Sequence, residues 1–387
     1  MRKVNKMKKN VFAVLLTLGV LASATACGAS KTTTSTLDAQ ETTASQAAEA
    51  ESTSGADGES SASAEEKASA SGDSASANDH AAGGGKGVVA GQVGGGYGGL
   101  DKSSDTELQS MISELTDKFT VETYTDESSG LSVDYNIFLP ADYDASKSYP
   151  MVVFIGDSST TGDDPSVSLT QGWGGLIWAS DEEQAKHECI VLVPSFPVTI
   201  LDDNNGGFTT TEYVDMVPDI IASVEEKYSV DSNRIYATGQ SMGCMTMLIT
   251  ASANPDLFAA ELFVDGQWDI TKLSGLESQK FFYVVAEGDD KAYQGQTEVK
   301  DMLATDGLSY AEATDINAKG TEDEVNATIG DVISQGSDYN FVSWTKGTVL
   351  PESTDTSGKG ASEHMAAFDY AYKFSAIRDW LFAQSKA

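Results

Sequence analysis

Gly239-Gln240-Ser241-Met242-Gly243 puts a serine between two glycines at G-x-S-x-G spacing. A serine hydroxyl is a weak nucleophile until a base takes its proton, and the base must be oriented by a third group. The chain has only three histidines, His80, His187 and His364, so the search for that base is short. His80 lies in a stretch almost free of large apolar side chains. His187 precedes an apolar run, which puts it at the amino end of a strand, away from an elbow at a carboxyl end. His364, in "GASEHMAAFDYAY", follows the last β-rich run and opens the last helical stretch, so it is the expected base. The orienting carboxylate is expected to be Asp289 or Asp290 in "YVVAEGDDKAY", with Asp265 in "FVDGQWD" as a rival. A solvated turn carboxylate is the plain reading of any one of them.

Elements must carry these groups. From about residue 101, short β-rich runs alternate with amphipathic stretches. The pattern predicts strands at 119–125, 131–139, 151–156, 189–195, 234–239, 259–265, 280–287 and 339–345. The first two read as an antiparallel pair turning at "ESSG". The middle ones are continuous apolar runs, as strands covered on both faces must be. Helical spacing appears over 209–228, with Pro218 expected to break or kink its first part, over 242–253 and over 365–384. Such alternation predicts an α/β fold, a mostly parallel sheet in one domain spanning 101–387. Ser241 then sits on a strand-turn-helix, a nucleophile elbow, with its hydroxyl above the sheet at the positive end of a helix.

An oxyanion formed at that serine needs two backbone N–H donors. Met242 should supply one, and the loop "IGDSSTTGDD", at Asp157 or Ser158, the other. Gln240 beside the nucleophile, Trp268 and Trp173 are the candidates for lining a substrate pocket. "DDNNGG" at 202–207 lacks EF-hand spacing and reads as a surface turn.

The chain before residue 101 has another character. Arg2, Lys3, Lys6, Lys8 and Lys9 precede an apolar run from Val11 to Ala22, then small residues up to Cys27. That run is too short for a spanning helix and reads as a signal peptide over 1–26. "ATAC" resembles a bacterial lipobox, with Ala24 where leucine is preferred, and makes Cys27 the expected lipidation site. Residues 27–100 are rich in Ser, Ala, Thr, Glu and Gly and are expected to form a disordered tether. The protein would thus be extracytoplasmic, held to the cell membrane by lipid. The formal charge of −35 becomes about −40 without the five basic leader residues. Such a balance excludes nucleic acid as a partner and favours solubility. Of three cysteines, Cys189 and Cys244 fall in the domain, and no C-x-x-C or Cys/His cluster points to a metal.

The folded part resembles α/β-hydrolase-fold serine esterases, in particular secreted polyhydroxybutyrate depolymerase and feruloyl esterase types that grade into prolyl-oligopeptidase-like hydrolases. "YNIFLPADYDASKSYPMVVFI", "RIYATGQSMGCMTMLITASANPDLFAAELFVDGQWD", "VVAEGDDKAY" and "SEHMAAFDYAYKFSAIRDWLF" carry the likeness in order. Ser241, then Asp289 or Asp290, then His364 match the family's nucleophile, acid and base. "FIGDSS" departs from the His-Gly pair common in relatives, which bears on the second oxyanion donor. The resemblance implies an eight-stranded, mostly parallel sheet with helices on both faces. It also implies cofactor-free hydrolysis of carboxylic esters, either small molecules or esters linked to polysaccharide. A related peptidase and a non-catalytic binding lipoprotein on the same scaffold are the competing expectations.

Overall fold

The computed structural model describes residues 100–204, 207–351 and 362–386. The expected signal peptide over 1–26, lipidation at Cys27 and the tether up to residue 99 lie outside the described residues. Leu100, the first described residue, is buried.

Helix α1 (Thr106–Leu115) is capped by Asp105, whose side chain accepts the Leu108 N–H at 3.0 Å. Strands β1 (Thr120–Thr125) and β2 (Ser132–Phe138) form the antiparallel pair, with Thr125 opposite Ser132. Then come β3 (Tyr149–Ile155), the short helices α2 (Val167–Thr170) and α3 (Asp181–Lys186), and β4 (Ile190–Ser195). A two-residue hairpin, β5 (Leu201–Asp202) with β6 (Thr209–Thr210), brackets the "DDNNGG" stretch. The middle of the chain is α4 (Glu212–Lys227), β7 (Val230–Gln240), α5 (Met242–Ala253) and β8 (Ala260–Val264). It continues with β9 (Phe281–Ala286), α6 (Asp290–Thr305), β10 (Ala311–Ile316), α7 (Glu322–Ile333) and β11 (Tyr339–Trp344). Helices α8 (Glu363–Lys373) and α9 (Ser375–Phe382) close the described chain. None of the described helices is long and apolar enough to cross a membrane.

The large sheet runs β1-β2-β4-β3-β7-β8-β9-β11-β10, and β2 alone runs against the others. It has nine strands where eight were expected. The additional strand is β10, "AEATDI", which is polar because it forms the sheet's edge and buries only its ends, Ala311 and Ile316. Residues 291–338 therefore extend the sheet through α6, β10 and α7.

Central strands send alternate side chains to opposite faces. Val152, Phe154, Val191, Val193, Leu262, Val264 and Val284 pack with α1, α7, α8 and α9. Met151, Val153, Ile190, Leu192, Phe263 and Tyr283 pack with α4, α5 and α6. Each fully buried Val, Leu, Ile or Phe contributes roughly 1.5–3 kcal/mol, which explains why these strands read as unbroken apolar runs. Pro218 does not break α4, which stays continuous around it. The buried stripe Val214, Val217, Ile220, Ile221 and Val224 holds the helix on the sheet and offsets the lost hydrogen bond. The last helical stretch divides at Phe374, whose ψ of 119° is extended, so the expected single helix is two.

One strand residue conflicts with its surroundings. Glu261 on β8 sits between Ala237 and Phe281 in register, fully buried, and neither carboxylate oxygen has a partner. Burial pushes its carboxyl well above the ordinary value of 4.5, so the folded chain holds a proton that the unfolded chain releases. Its contribution to stability is therefore lost as pH rises above the unfolded value. Each pH unit costs up to about 1.4 kcal/mol until the buried group itself titrates. Glu261→Gln is expected to raise Tm by about 2 °C or more at pH 8, with the gain shrinking toward pH 5. Paired thermal melts at the two pH values check this, and an equal shift at both would refute the buried-proton account.

Candidate active site

β7 ends at Gln240 and α5 begins at Met242, so one residue makes the whole turn. Ser241 does so at φ 51° and ψ −115°, a region that L-residues rarely occupy. Its N–H is anchored to the Val264 carbonyl at 3.1 Å, which ties the elbow to the neighbouring strand β8. The flanking glycines permit the close approach. A Cβ on Gly243 would lie 1.9 Å from the Ile155 carbonyl oxygen, and one on Gly239 would lie 2.5 Å from the Gly243 carbonyl carbon. Both obstacles are backbone, so a side chain at Gly243 would open the joint between β3 and α5, and one at Gly239 would open the elbow between β7 and α5.

Three chain segments converge on the serine hydroxyl. His364 stands in the first turn of α8, whose cap Ser362 accepts its backbone N–H at 3.2 Å. His364 Nε2 lies 2.8 Å from Ser241 Oγ, and Nδ1 lies 2.5 Å from Asp289 Oδ2. An ionised carboxylate only accepts, so Nδ1 carries the hydrogen and Nε2 presents its lone pair to the serine. Phe368, one turn along α8, meets the imidazole edge-on at 5.0 Å and limits its rotation. Asp289 is itself fixed because it caps α6, with Oδ1 accepting the Ala292 N–H at 3.3 Å.

This geometry separates residues that the sequence left together. Asp289 is buried and bonded to His364, whereas Asp290 is the exposed first residue of α6 and stands outside the hydrogen-bonded chain. Asp265 is also close to the site but serves the scaffold. It is fully buried at φ 41°, and its Oδ1 accepts the Ala286 N–H at 2.8 Å, joining the ends of β8 and β9 beneath Asp289. Burial, with the Asp289 charge added, pushes its carboxyl well above the usual range.

The loop after β3 supplies the other wall. Asp157 Oδ1 accepts the Ser159 N–H at 2.8 Å, and its carbonyl accepts the Thr160 N–H at 3.0 Å. Among the described residues, that leaves the N–H groups of Asp157 and Ser158 without acceptors at the carboxyl end of β3. Met242 opens α5, so its N–H has no intrahelical acceptor either.

Two expected pocket residues are placed elsewhere. Gln240 is fully buried with its amide turned inward. Its Nε2 reaches Gln171 Oε1 at 2.5 Å and Asp157 Oδ2 at 3.2 Å, and Gln171 Nε2 donates to the same Asp157 oxygen at 2.5 Å. This buried triangle locks the β3 loop against the residue before the nucleophile. Gln171 went unnoticed in the sequence because nothing local marks a residue whose partners lie 14 and 69 positions away. Trp173 is an anchor: its indole N–H donates to Asp105 at 3.2 Å, its backbone N–H to Asp369 at 3.0 Å, and Lys373 covers its ring. Trp268 is better placed, since it follows Gly266, where a Cβ would meet the Ser241 carbonyl oxygen at 2.8 Å. Its ring packs 5.0 Å from Phe208, an exposed aromatic with no helical or strand pattern to single it out. Cys189 and Cys244 are buried free thiols, and burial raises both well above the ordinary range.

The prolyl oligopeptidase family matches residues 204–315, a span that holds Ser241 and Asp289 but not His364. No curated protein matches the chain. Among solved structures, a thermostable esterase is 23% identical with a TM-score of 0.57, over 70% of this chain and 64% of its own. This chain thus spans under two thirds of that protein's length. The feruloyl esterase module from Clostridium thermocellum, complexed with sinapinate, is 16% identical with a TM-score of 0.43, over 66% of this chain and 86% of its own. An S-formylglutathione hydrolase from Staphylococcus aureus is 13% identical with a TM-score of 0.43, over 68% and 98% respectively. From the strand order, the elbow and the likeness to the thermostable esterase, the chain has the α/β-hydrolase fold.

Proposed function

We propose that this protein is a serine hydrolase that cleaves carboxylic esters through an acyl-enzyme. One observation carries the reading: a serine on a strained turn lies 2.8 Å from an imidazole whose other nitrogen is held by a buried carboxylate. In the reaction Ser241 Oγ attacks the ester carbonyl as its proton passes to His364 Nε2. Asp289 keeps the imidazole in the required tautomer and stabilises the imidazolium. Met242 N–H and the Asp157 or Ser158 N–H receive the oxyanion. His364 returns the proton to the departing alkoxide, and water repeats the sequence to free the acyl group. Trp268 and Phe208 offer an aromatic wall for the acyl or aryl part of the substrate, which fits small aryl esters or acylated polysaccharide.

The leader and Cys27 support a lipid-anchored, extracytoplasmic enzyme, a reading that rests on the sequence alone. The prolyl oligopeptidase match favours a peptidase as the second reading. Peptide amides and aryl esters offered side by side separate the two.

Labelling with a fluorophosphonate probe tests the mechanism. The wild-type chain should label, and Ser241→Ala and His364→Ala should not. An unlabelled, folded wild type would remove the hydrolase reading and leave a binding protein on this scaffold. The acid is tested separately with an aryl acetate. Asp289→Asn is expected to lower kcat by about two to four orders of magnitude, as loss of the orienting acid does elsewhere. Asp290→Asn should stay within about twofold, and the reverse ranking would exchange their assignments.

A further inference from the structure

A second cluster lies at the other end of the sheet, before β4. Glu183 lies in the first turn of α3 and His187, one turn on, caps its end, and Asp379 on α9 faces them, 192 residues beyond His187. His187 Nε2 lies 2.8 Å from Asp379 Oδ1 and 4.0 Å from Glu183 Oε1, and the three ligand atoms all fall within 4.8 Å of one another. Glu183 is 1% exposed, and its Oε1, which points into this cluster, has no hydrogen-bond partner. The other oxygen, Oε2, accepts from Arg378 Nε at 2.8 Å, which fixes the carboxylate in place. A buried carboxylate oxygen left without a partner is costly, and something should compensate it.

We propose that Glu183, His187 and Asp379 form a binding site for a divalent transition cation such as zinc. One imidazole nitrogen and two carboxylate oxygens suit that ion. Ligands about 2.1 Å from a tetrahedral zinc lie roughly 3.4 Å apart, between the two separations from Nε2. The ion replaces the hydrogen-bonded proton between His187 and Asp379 and gives Glu183 Oε1 its missing partner. His187 also lines a cavity of about 280 Å³, from which water can complete the coordination shell. Arg378 offsets the Glu183 charge and Lys147 lines the same cavity, while Lys186 faces Glu182 at 3.6 Å and Arg234 is held by Asp231 at 2.7 Å, so the negative charge the ion would meet comes mainly from Asp379. His187 stacks on Phe382 at 4.4 Å and 6°, which fixes the ring plane that the ion would meet. The site would pin α3 to α9. No sequence motif announces it, because the third ligand comes from the far end of the chain.

The test uses the full chain carrying His364→Ala, so that the other histidine of the described fold cannot bind the ion. Calorimetric titration of the metal-free chain with zinc should show one equivalent bound, and saturating zinc should raise Tm by about 5 °C. His187→Ala and Asp379→Asn should each weaken binding at least tenfold and remove the Tm shift. Asp379 is half exposed, so Asp379→Asn keeps the test decisive if His187→Ala fails to fold. No binding, or binding unchanged in a folded variant, overturns the site. Equal stabilisation by calcium also overturns it, since that would report diffuse attraction to an acidic surface.

Discussion

The backbone of Gly243 lies against the carbonyl of Ile155, and the geometry of the site follows from that contact. It seats the first turn of α5 on the end of β3 and forces the strand-to-helix reversal into a single residue. Ser241 absorbs the reversal in a conformation that costs on the order of 1–3 kcal/mol. The conformation persists because its surroundings leave no alternative. β7 is paired on both sides, to β3 and to β8, and α5 is buried along most of its length. Strain at the elbow is thus set against the packing of the sheet's centre, and the hydroxyl is held where a base can reach it.

The other two members of the hydrogen-bonded chain are placed by helix starts. Asp289 caps α6 and His364 lies in the first turn of α8, so each is held by backbone N–H groups as well as by its side-chain contacts. Behind them, Asp265 bonds β8 to β9, and the Asp157–Gln171–Gln240 triangle bonds the β3 loop to the elbow. These buried polar groups position backbone. In the proposed reaction they set the distances between groups that react without touching the substrate themselves.

Much of this was legible in the sequence, and the failures share a physical pattern. Seven of the eight expected strands are paired on both sides and announced themselves as apolar or alternating runs, and the edge strand β1 was legible through its hairpin with β2. β10 did not, because it is a polar edge strand whose only partner, β11, lies beyond α7, so no adjacent hairpin marks it. Ser241 and His364 could be singled out because the glycine spacing is rare in a strand-turn-helix context and histidines are few. Asp289 and Asp290 could not be separated, since the difference between a helix cap and the residue after it is one step of backbone. Gln240 and Trp173 show the opposite error. Their positions in the chain were near the site, but the direction of a side chain depends on partners such as Asp157 and Asp105, far away in sequence. Pro218 was expected to break or kink α4; it does not break it, because the buried face of α4 holds the helix continuous across it.

The order of parts along the chain has a consequence for biogenesis. In the proposed reaction the serine and its acid belong to strands and turns in the middle of the sheet, but the base arrives on α8, after every described strand has been made. A nascent or truncated chain can thus assemble the elbow while its hydroxyl remains an ordinary alcohol, since a serine without a base is a poor nucleophile. Reactivity waits for α8 to dock through Phe368 and Tyr372. In the proposed reaction, synthesis from one end keeps the serine chemically silent until the fold around it is complete.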